Sequence, residues 1–212
     1  IVYGEGQSMP IRESAPCSAT NPYGRTKLMV EEILHDVENS DDSWHIARLR
    51  YFNPVGAHAS ALIGENPRGV PNNLMPYVAQ VAIGQRRFLS VFGNDYPTPD
   101  GRGVRDYVQV VDLREGHVAA LKYLTTGGRA LVVNLGTGKG TSVLEMVAAF
   151  ERASGRHVPY KIVARRPGDV ATCFANVDYA RDVLGWSARL GIDQMCLDGW
   201  NWQKKEGQET VS

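Results

Sequence analysis

Strand-length apolar runs alternate with stretches of helical periodicity along most of this chain. His45–Phe52, Leu89–Phe92, Val104–Val111, Leu131–Leu135 and Val158–Val163 read as strands. Helices are expected from Pro22 to Glu38, Asn73 to Ile83, Leu113 to Leu124, Ser142 to Ala153, Asp178 to Leu184 and Ile192 to Lys204. Strands separated by helices need crossover connections, so the alternation restricts the chain to the α/β class. Ile1-Val2-Tyr3-Gly4 reads as the tail of a further buried strand.

Local chemistry supports these boundaries. Pro22 suits a first helical turn, where its missing N–H costs nothing, and Asn21 suits the cap before it. Leu28, Met29, Ile33, Leu34 and Val37 form an apolar stripe on that helix. Glycine and proline punctuate the loops from Asn53 to Pro71 and from Asn94 to Gly103. Leu135-Gly-Thr-Gly-Lys-Gly-Thr-Ser142 looks like a phosphate loop, but Val133 stands where that motif needs glycine. Thr141 likewise stands where a dinucleotide fingerprint needs one. Ser142 with Glu145 makes a capping box instead, so the segment is expected to be a structural turn.

Composition removes several classes of function. The chain has 212 residues, enough to bury a core, with 23 basic and 23 acidic residues cancelling to zero net charge. No basic run suggests nucleic acid or a membrane surface as partner. Three cysteines, Cys17, Cys173 and Cys196, form no pairing pattern and favour a reducing compartment. No window is apolar enough for a membrane span and no signal-peptide pattern is present. The five histidines show no metal-ligand spacing. The chain starts at Ile1, and it is expected to be part of a longer cytoplasmic protein.

The chemistry-bearing residues begin with Tyr23 and Lys27. Four residues apart at the start of a helix, phenol and ammonium share one face. A cation there favours the phenolate, bringing a group of free pKa about 10 toward use as a base. Such pairs also occur on solvated helix faces, and the surrounding residues decide. Arg50-Tyr-Phe-Asn-Pro54 ends a strand in polar residues, where open α/β sheets bind ligands. Pro71-Asn-Asn-Leu74 opens a helix, as either a cap or an anion site. Phe92-Gly-Asn-Asp-Tyr96 leads into Gly103-Val-Arg-Asp-Tyr-Val108. Arg165-Arg-Pro-Gly-Asp169 is good turn chemistry, but it also offers a second arginine for an anion.

Taken in order, these blocks resemble the extended short-chain dehydrogenase/reductase family, and within it the animal-type 4-epimerases of UDP-hexoses. The resemblance implies the C-terminal part of an NAD-binding Rossmann domain over residues 1–55 and a smaller α/β UDP-sugar-binding domain over 56–212. It implies NAD-dependent inversion at C4 of UDP-glucose and UDP-galactose through a transient 4-keto sugar, as in galactose metabolism. Tyr23 would be the base, and Lys27 would bind the nicotinamide ribose. Tyr51 and Pro54 would line the nicotinamide side, and Asn53 would bind a diphosphate or sugar oxygen. Asn73 and Leu74, Arg105 and Arg166 would hold the pyrophosphate, with Tyr107 packed nearby. Ser90, Val91 and Phe92 would hold the uracil, and Asp169 the ribose hydroxyls.

Cys173 stands where bacterial members commonly carry tyrosine, which implies room for an acetamido group and hence for UDP-N-acetylhexosamines. The family's serine or threonine partner falls at or before Ile1, and none is assigned. Gln109 replaces a usual histidine. A homodimer partly through the Tyr23–Lys27 helix is also implied. A sister nucleotide-sugar decarboxylase or dehydratase, or an inactive UDP-sugar-binding or dimerising fragment, remain the alternatives.

Overall fold

Arginines at alternate positions of a strand share a face, and glutamates seven apart on a helix lie nearly in line. The first helix and first strand meet in this way. The computed structural model describes residues 2–4 and 8–209. Its α1 (Pro22–Ser40) is capped by Asn21, whose Oδ1 accepts from the Gly24 N–H at 2.8 Å. On β1 (Ala47–Tyr51), Arg50 forks onto the Glu31 carboxylate at 2.9 and 2.5 Å, and Arg48 reaches Glu38 at 3.0 Å. All four side chains are largely buried. The expected apolar stripe therefore splits. Leu28, Leu34 and Val37 turn partly inward beside the two glutamates, while Met29 and Ile33, with Val30, stay exposed.

The remaining elements are β2 (Asn53–Val55), α2 (Leu74–Ala82), β3 (Leu89–Phe92), β4 (Val104–Arg105), β5 (Tyr107–Gln109), α3 (Val110–Thr125), β6 (Leu131–Leu135), β7 (Thr141–Ser142), α4 (Val143–Ser154), β8 (Tyr160–Val163), β9 (Thr172–Cys173), α5 (Asp178–Leu184) and α6 (Ile192–Glu209). Parallel pairs join β1 to β6, β2 to β5 and β3 to β8. β4 lies between antiparallel β7 and parallel β9. The α/β class is the one expected. Among the described residues no helix is long and apolar enough to cross a membrane.

Several boundaries differ from expectation. The strand through Phe52 does not end there: Phe52 donates to Leu135 O at 3.2 Å and Asn53 to Asp106 O at 2.9 Å, so the run changes partner and continues as β2. The strand expected over Val104–Val111 is broken at Asp106 and stops at Gln109, whose side chain accepts from the Val111 N–H and starts α3 three residues early. Val2, Tyr3 and Gly4 form no strand, although Val2 and Tyr3 are buried. Ile1 lies outside the described residues. The capping box forms as expected: Ser142 Oγ accepts from the Glu145 N–H at 3.1 Å, and the Glu145 carboxylate accepts from the Ser142 N–H at 2.7 Å.

Apolar burial forms two large clusters and a small one around Val2, Tyr3 and Ile11. The first large cluster packs Val55, Val91 and Tyr107 against α2, α4 and α6, with Phe150 and Trp200 in edge-to-face contact. The second packs Leu131, Val133 and Leu135 with Leu49, Leu113 and Trp186. Leu135 and Val108, from that second cluster, flank the strand ends where the chemistry-bearing residues gather.

Candidate active site

The strand ends are organised around one buried carboxylate. Asp106 is 0% exposed. Its Oδ1 accepts from the Thr137 N–H at 2.8 Å and Thr137 Oγ1 at 2.6 Å. Its Oδ2 accepts from the Gly138 N–H at 3.0 Å and the Ala175 N–H at 3.1 Å. The glycine-rich turn that imitates a phosphate loop is thus closed on the protein's own anion. A Cβ on Gly136 would fall 2.5 Å from Asp106 Oδ2, so only glycine admits the carboxylate there. Burial pushes the Asp106 pKa up, with the four donors opposing it.

The backbone of the same residue fixes its neighbours. The Asp106 N–H donates to Cys173 O at 3.0 Å, and its carbonyl accepts from Asn53. Asn53 pairs in register with Tyr107, and Arg105 with Cys173. Asn53, Arg105, Tyr107 and Cys173 are therefore brought together by short ladders radiating from Asp106. Tyr107 is buried in the first cluster, where desolvation raises its pKa to about 12, so it packs behind the strand end. Cys173 is half-buried, and burial raises its thiol pKa too.

A second group meets this one from β3 and β8. Ser90 and Phe92 are half-buried and Val91 is in the core. The Arg166 guanidinium lies 3.8 Å from the Phe92 ring centroid, and Arg165 lies 4.0 Å from that of Tyr96. Asp169 stands 3.9 Å from Arg105, which joins the two groups. A Cβ on Gly168 would lie 4.0 Å from Thr20 Oγ1, so the Arg166–Asp169 turn abuts the entry to α1. There Tyr23 is 59% exposed and the Lys27 ammonium lies 5.2 Å from its ring centroid. Tyr51, half-exposed at the end of β1, has the His117 ring 5.8 Å away. Pro54 is half-buried in β2.

Asn73 occupies the cap position of α2, yet its side chain makes no capping bond. Its Nδ2 instead donates to Glu65 Oε1 at 2.8 Å. Leu74 packs against the first cluster beside it. Gln109 is a residue whose weight the sequence understated. Fully buried, it donates through Nε2 to Ala57 O at 2.8 Å and Asp198 Oδ2 at 2.9 Å while capping α3. Its signal was a polar residue ending an apolar strand. No group of histidine, cysteine and carboxylate side chains among the described residues could hold a metal.

The sequence pattern of the family described as GDP-mannose 4,6 dehydratase matches residues 1–198. The chain belongs to this family. Among curated family relatives, UDP-glucose 4-epimerase of Bacillus subtilis (strain 168) is 60% identical over 202 residues, 95% of this chain and 60% of its own length. The Homo sapiens UDP-glucose 4-epimerase is 58% identical over 205 residues, 96% of this chain and 59% of its own. This chain thus spans about 60% of the length of the curated relatives it matches.

Solved structures agree. The UDP-glucose-4-epimerase of Stenotrophomonas maltophila, crystallised with NAD and formylated UDP-arabinopyranose, superposes with a TM-score of 0.96 at 53% identity, over 98% of this chain and 62% of that one. The Bifidobacterium longum UDP-glucose 4-epimerase, in complex with NAD+ and UDP, gives 0.92 at 52% identity, over 97% and 62%. The short-chain dehydrogenase/reductase resemblance read from the motifs is that of a true family member.

Proposed function

We propose that the protein of which these 212 residues form at least a part is an NAD-dependent 4-epimerase of UDP-hexoses. The observation that carries this is the convergence of Arg105 and Arg166, linked through Asp169 and Phe92, beside the entry to the helix bearing Tyr23 and Lys27. Two guanidiniums on one side suit a diphosphate, since each forks onto phosphate oxygens. Phe92, Ser90 and Val91 offer a strand edge and ring to the uracil, and Asp169 an acceptor to ribose hydroxyls. Asn53, at the carboxyl end of a parallel strand, and Asn73 with Leu74, at the start of α2, complete the polar lining. Tyr107 supports Arg105 from behind.

Tyr23 is accessible to substrate and takes the proton of the sugar 4-hydroxyl, returning it after inversion. Lys27 places a positive charge against that phenol and has no acidic partner among the described residues. The free phenol, the ammonium and the half-exposed Tyr51 ring, with Pro54 beside it, fit the nicotinamide half of NAD. When bound, that cofactor accepts hydride from the sugar's C4 and returns it to the other face. The glycine turn at 136–140 is filled by Asp106 and does not serve its diphosphate.

The half-buried Cys173, next to Arg105 in the β4–β9 ladder, supports acceptance of N-acetylhexosamine substrates. Residues 1–55 are taken as the last part of the NAD-binding domain and 56–212 as the UDP-sugar domain. The exposed Met29, Val30 and Ile33 on α1 support a homodimer through that helix. Three free thiols support a cytoplasmic site of action.

The test is turnover of UDP-galactose with NAD by a form extended to the relatives' full length, beside the 212-residue chain and Tyr23→Phe in the long form. The long form should turn over, and its Tyr23→Phe variant should lose turnover while still binding UDP. Near-normal turnover in that variant overturns the assignment. The short chain should bind UDP more weakly and not turn over.

A further inference from the structure

The loop of residues 93–103 holds two buried donors with no hydrogen-bond partner among the described residues, the Tyr96 hydroxyl and Arg102 Nε. Folded proteins rarely leave such groups unpaired, because a buried donor that has given up water needs an acceptor. Tyr96 is 6% exposed, and its ring is held by its surroundings. It packs on Gly93 so closely that a Cβ there would fall 2.6 Å from the ring. Arg165 lies over it, held by Asp95 through Nε to Oδ1 at 2.7 Å and Nη2 to the backbone oxygen at 2.5 Å. The hydroxyl is fixed in place and lacks only an acceptor.

The charges around it are those of the proposed diphosphate site. Burial pushes the Tyr96 pKa up and the Asp169 carboxylate adds to this, while Arg165 and Arg105 oppose it. The phenol therefore keeps its proton at neutral pH and has it to donate. The neighbouring Arg105–Asp169 pair, at 3.9 Å, is too long for a direct hydrogen bond. A tyrosine donor without an acceptor thus stands beside a loose ion pair, in a cluster of guanidiniums that has more positive charge than its acids satisfy.

We infer that the Tyr96 hydroxyl is a further ligand-binding group, donating to the diphosphate that Arg105 and Arg166 hold. This rests on the UDP-sugar reading above. The oxygen is covered in this structure, so the ligand reaches it by displacing a neighbouring side chain. Arg165, 44% exposed and stacked on the ring, is the one with room to swing. Leaving Asp95, its guanidinium turns toward the same anion.

Tyr96→Phe removes one oxygen and leaves the ring packing intact. In the full-length protein the variant is compared with wild type for UDP and uridine affinity by calorimetry, and for the unfolding midpoint without ligand. UDP affinity should fall about tenfold, equivalent to ~1.4 kcal/mol, and uridine affinity should not change. The ligand-free midpoint should hold or rise, because an unpaired buried hydroxyl has been removed. A lowered midpoint with unchanged UDP affinity would show a structural hydroxyl and overturn the inference. Equal losses for uridine and UDP would overturn it too, since the uridine carries no diphosphate. A wild-type protein that binds no UDP overturns the UDP-sugar reading itself, and this inference with it.

Discussion

Replacing Asp106 by asparagine tests whether one carboxylate holds the strand ends in place. Asparagine keeps the shape and one acceptor oxygen, which can serve the Thr137 N–H and hydroxyl. Its amide NH2 then faces the Gly138 and Ala175 N–H groups, both within 3.1 Å of Oδ2 in the native protein. Two buried backbone donors lose their acceptor, at about 1–3 kcal/mol each. The relief of no longer burying a charge offsets part of this, leaving a net loss of about 2–4 kcal/mol at neutral pH. With a urea m-value of about 2 kcal/mol/M, the midpoint should fall by about 1–2 M.

Titration adds a second check on Asp106. Burial raises its folded pKa above the ordinary carboxylate value of about 3.9. Its contribution is therefore fully present below the unfolded pKa and is lost as pH rises through the folded one. The gap between wild type and Asp106→Asn should narrow as pH rises from about 4 toward neutrality. Thr137→Val removes only one of the four donors and should cost about 1–2 kcal/mol. If Asp106→Asn unfolds at the wild-type urea concentration, or no more easily than Thr137→Val, the carboxylate is not the organising group.

Gln109→Ala breaks bonds to Ala57 and Asp198 and uncaps α3, so thermal unfolding should show a loss of about 2–4 kcal/mol. Cys173→Tyr should fill the space beside Arg105, so that kcat/KM for UDP-N-acetylhexosamines falls at least about tenfold more than for UDP-galactose; parallel losses would remove Cys173 from substrate selection. Ile33→Asp on the exposed face of α1 should convert a dimer to monomers on gel filtration with little change in the unfolding midpoint. An unchanged elution position would refute a dimer formed through α1.

Much of this architecture could be read from residues in advance, for identifiable reasons. Asn21, Ser142 and Glu145 act through bonds within four positions and Pro22 through its own missing N–H, so local chemistry set those helix starts. The strand limits at Leu89–Phe92 and Leu131–Leu135 follow from short, mostly apolar runs, each interrupted by one polar residue, Ser90 or Asn134. The break at Asp106 could not be read, because its cause lies in Thr137, Gly138 and Ala175, some 31 to 69 positions away. The turn at 136–140 was recognised as structural, but its occupant was not, for the same reason. The weight of Gln109 is likewise invisible locally, because its partner Asp198 lies 89 positions on. Motifs named the candidate residues, and the ladders bring Asn53, Arg105, Tyr107 and Cys173 together. Tyr96 stood in plain view in its motif, but a donor without an acceptor can be seen only once burial is known.

The strand pairings also decide how this chain must come together in time. Ala47 finds Leu131, Asn53 finds Tyr107, Leu89 finds Tyr160 and Val104 finds Thr172. Among the described residues no parallel partner is closer than the 54 positions from Asn53 to Tyr107. Contacts this distant are slow to form and return nothing until both strands exist. On the ribosome, β3 stays unpaired until β8 has emerged at Val163, and β4 has only its short pairing with β7 until Cys173 follows. Premature termination or a cut before Tyr160 would leave strand edges bare, and the expected fate of such products is aggregation rather than a smaller working unit.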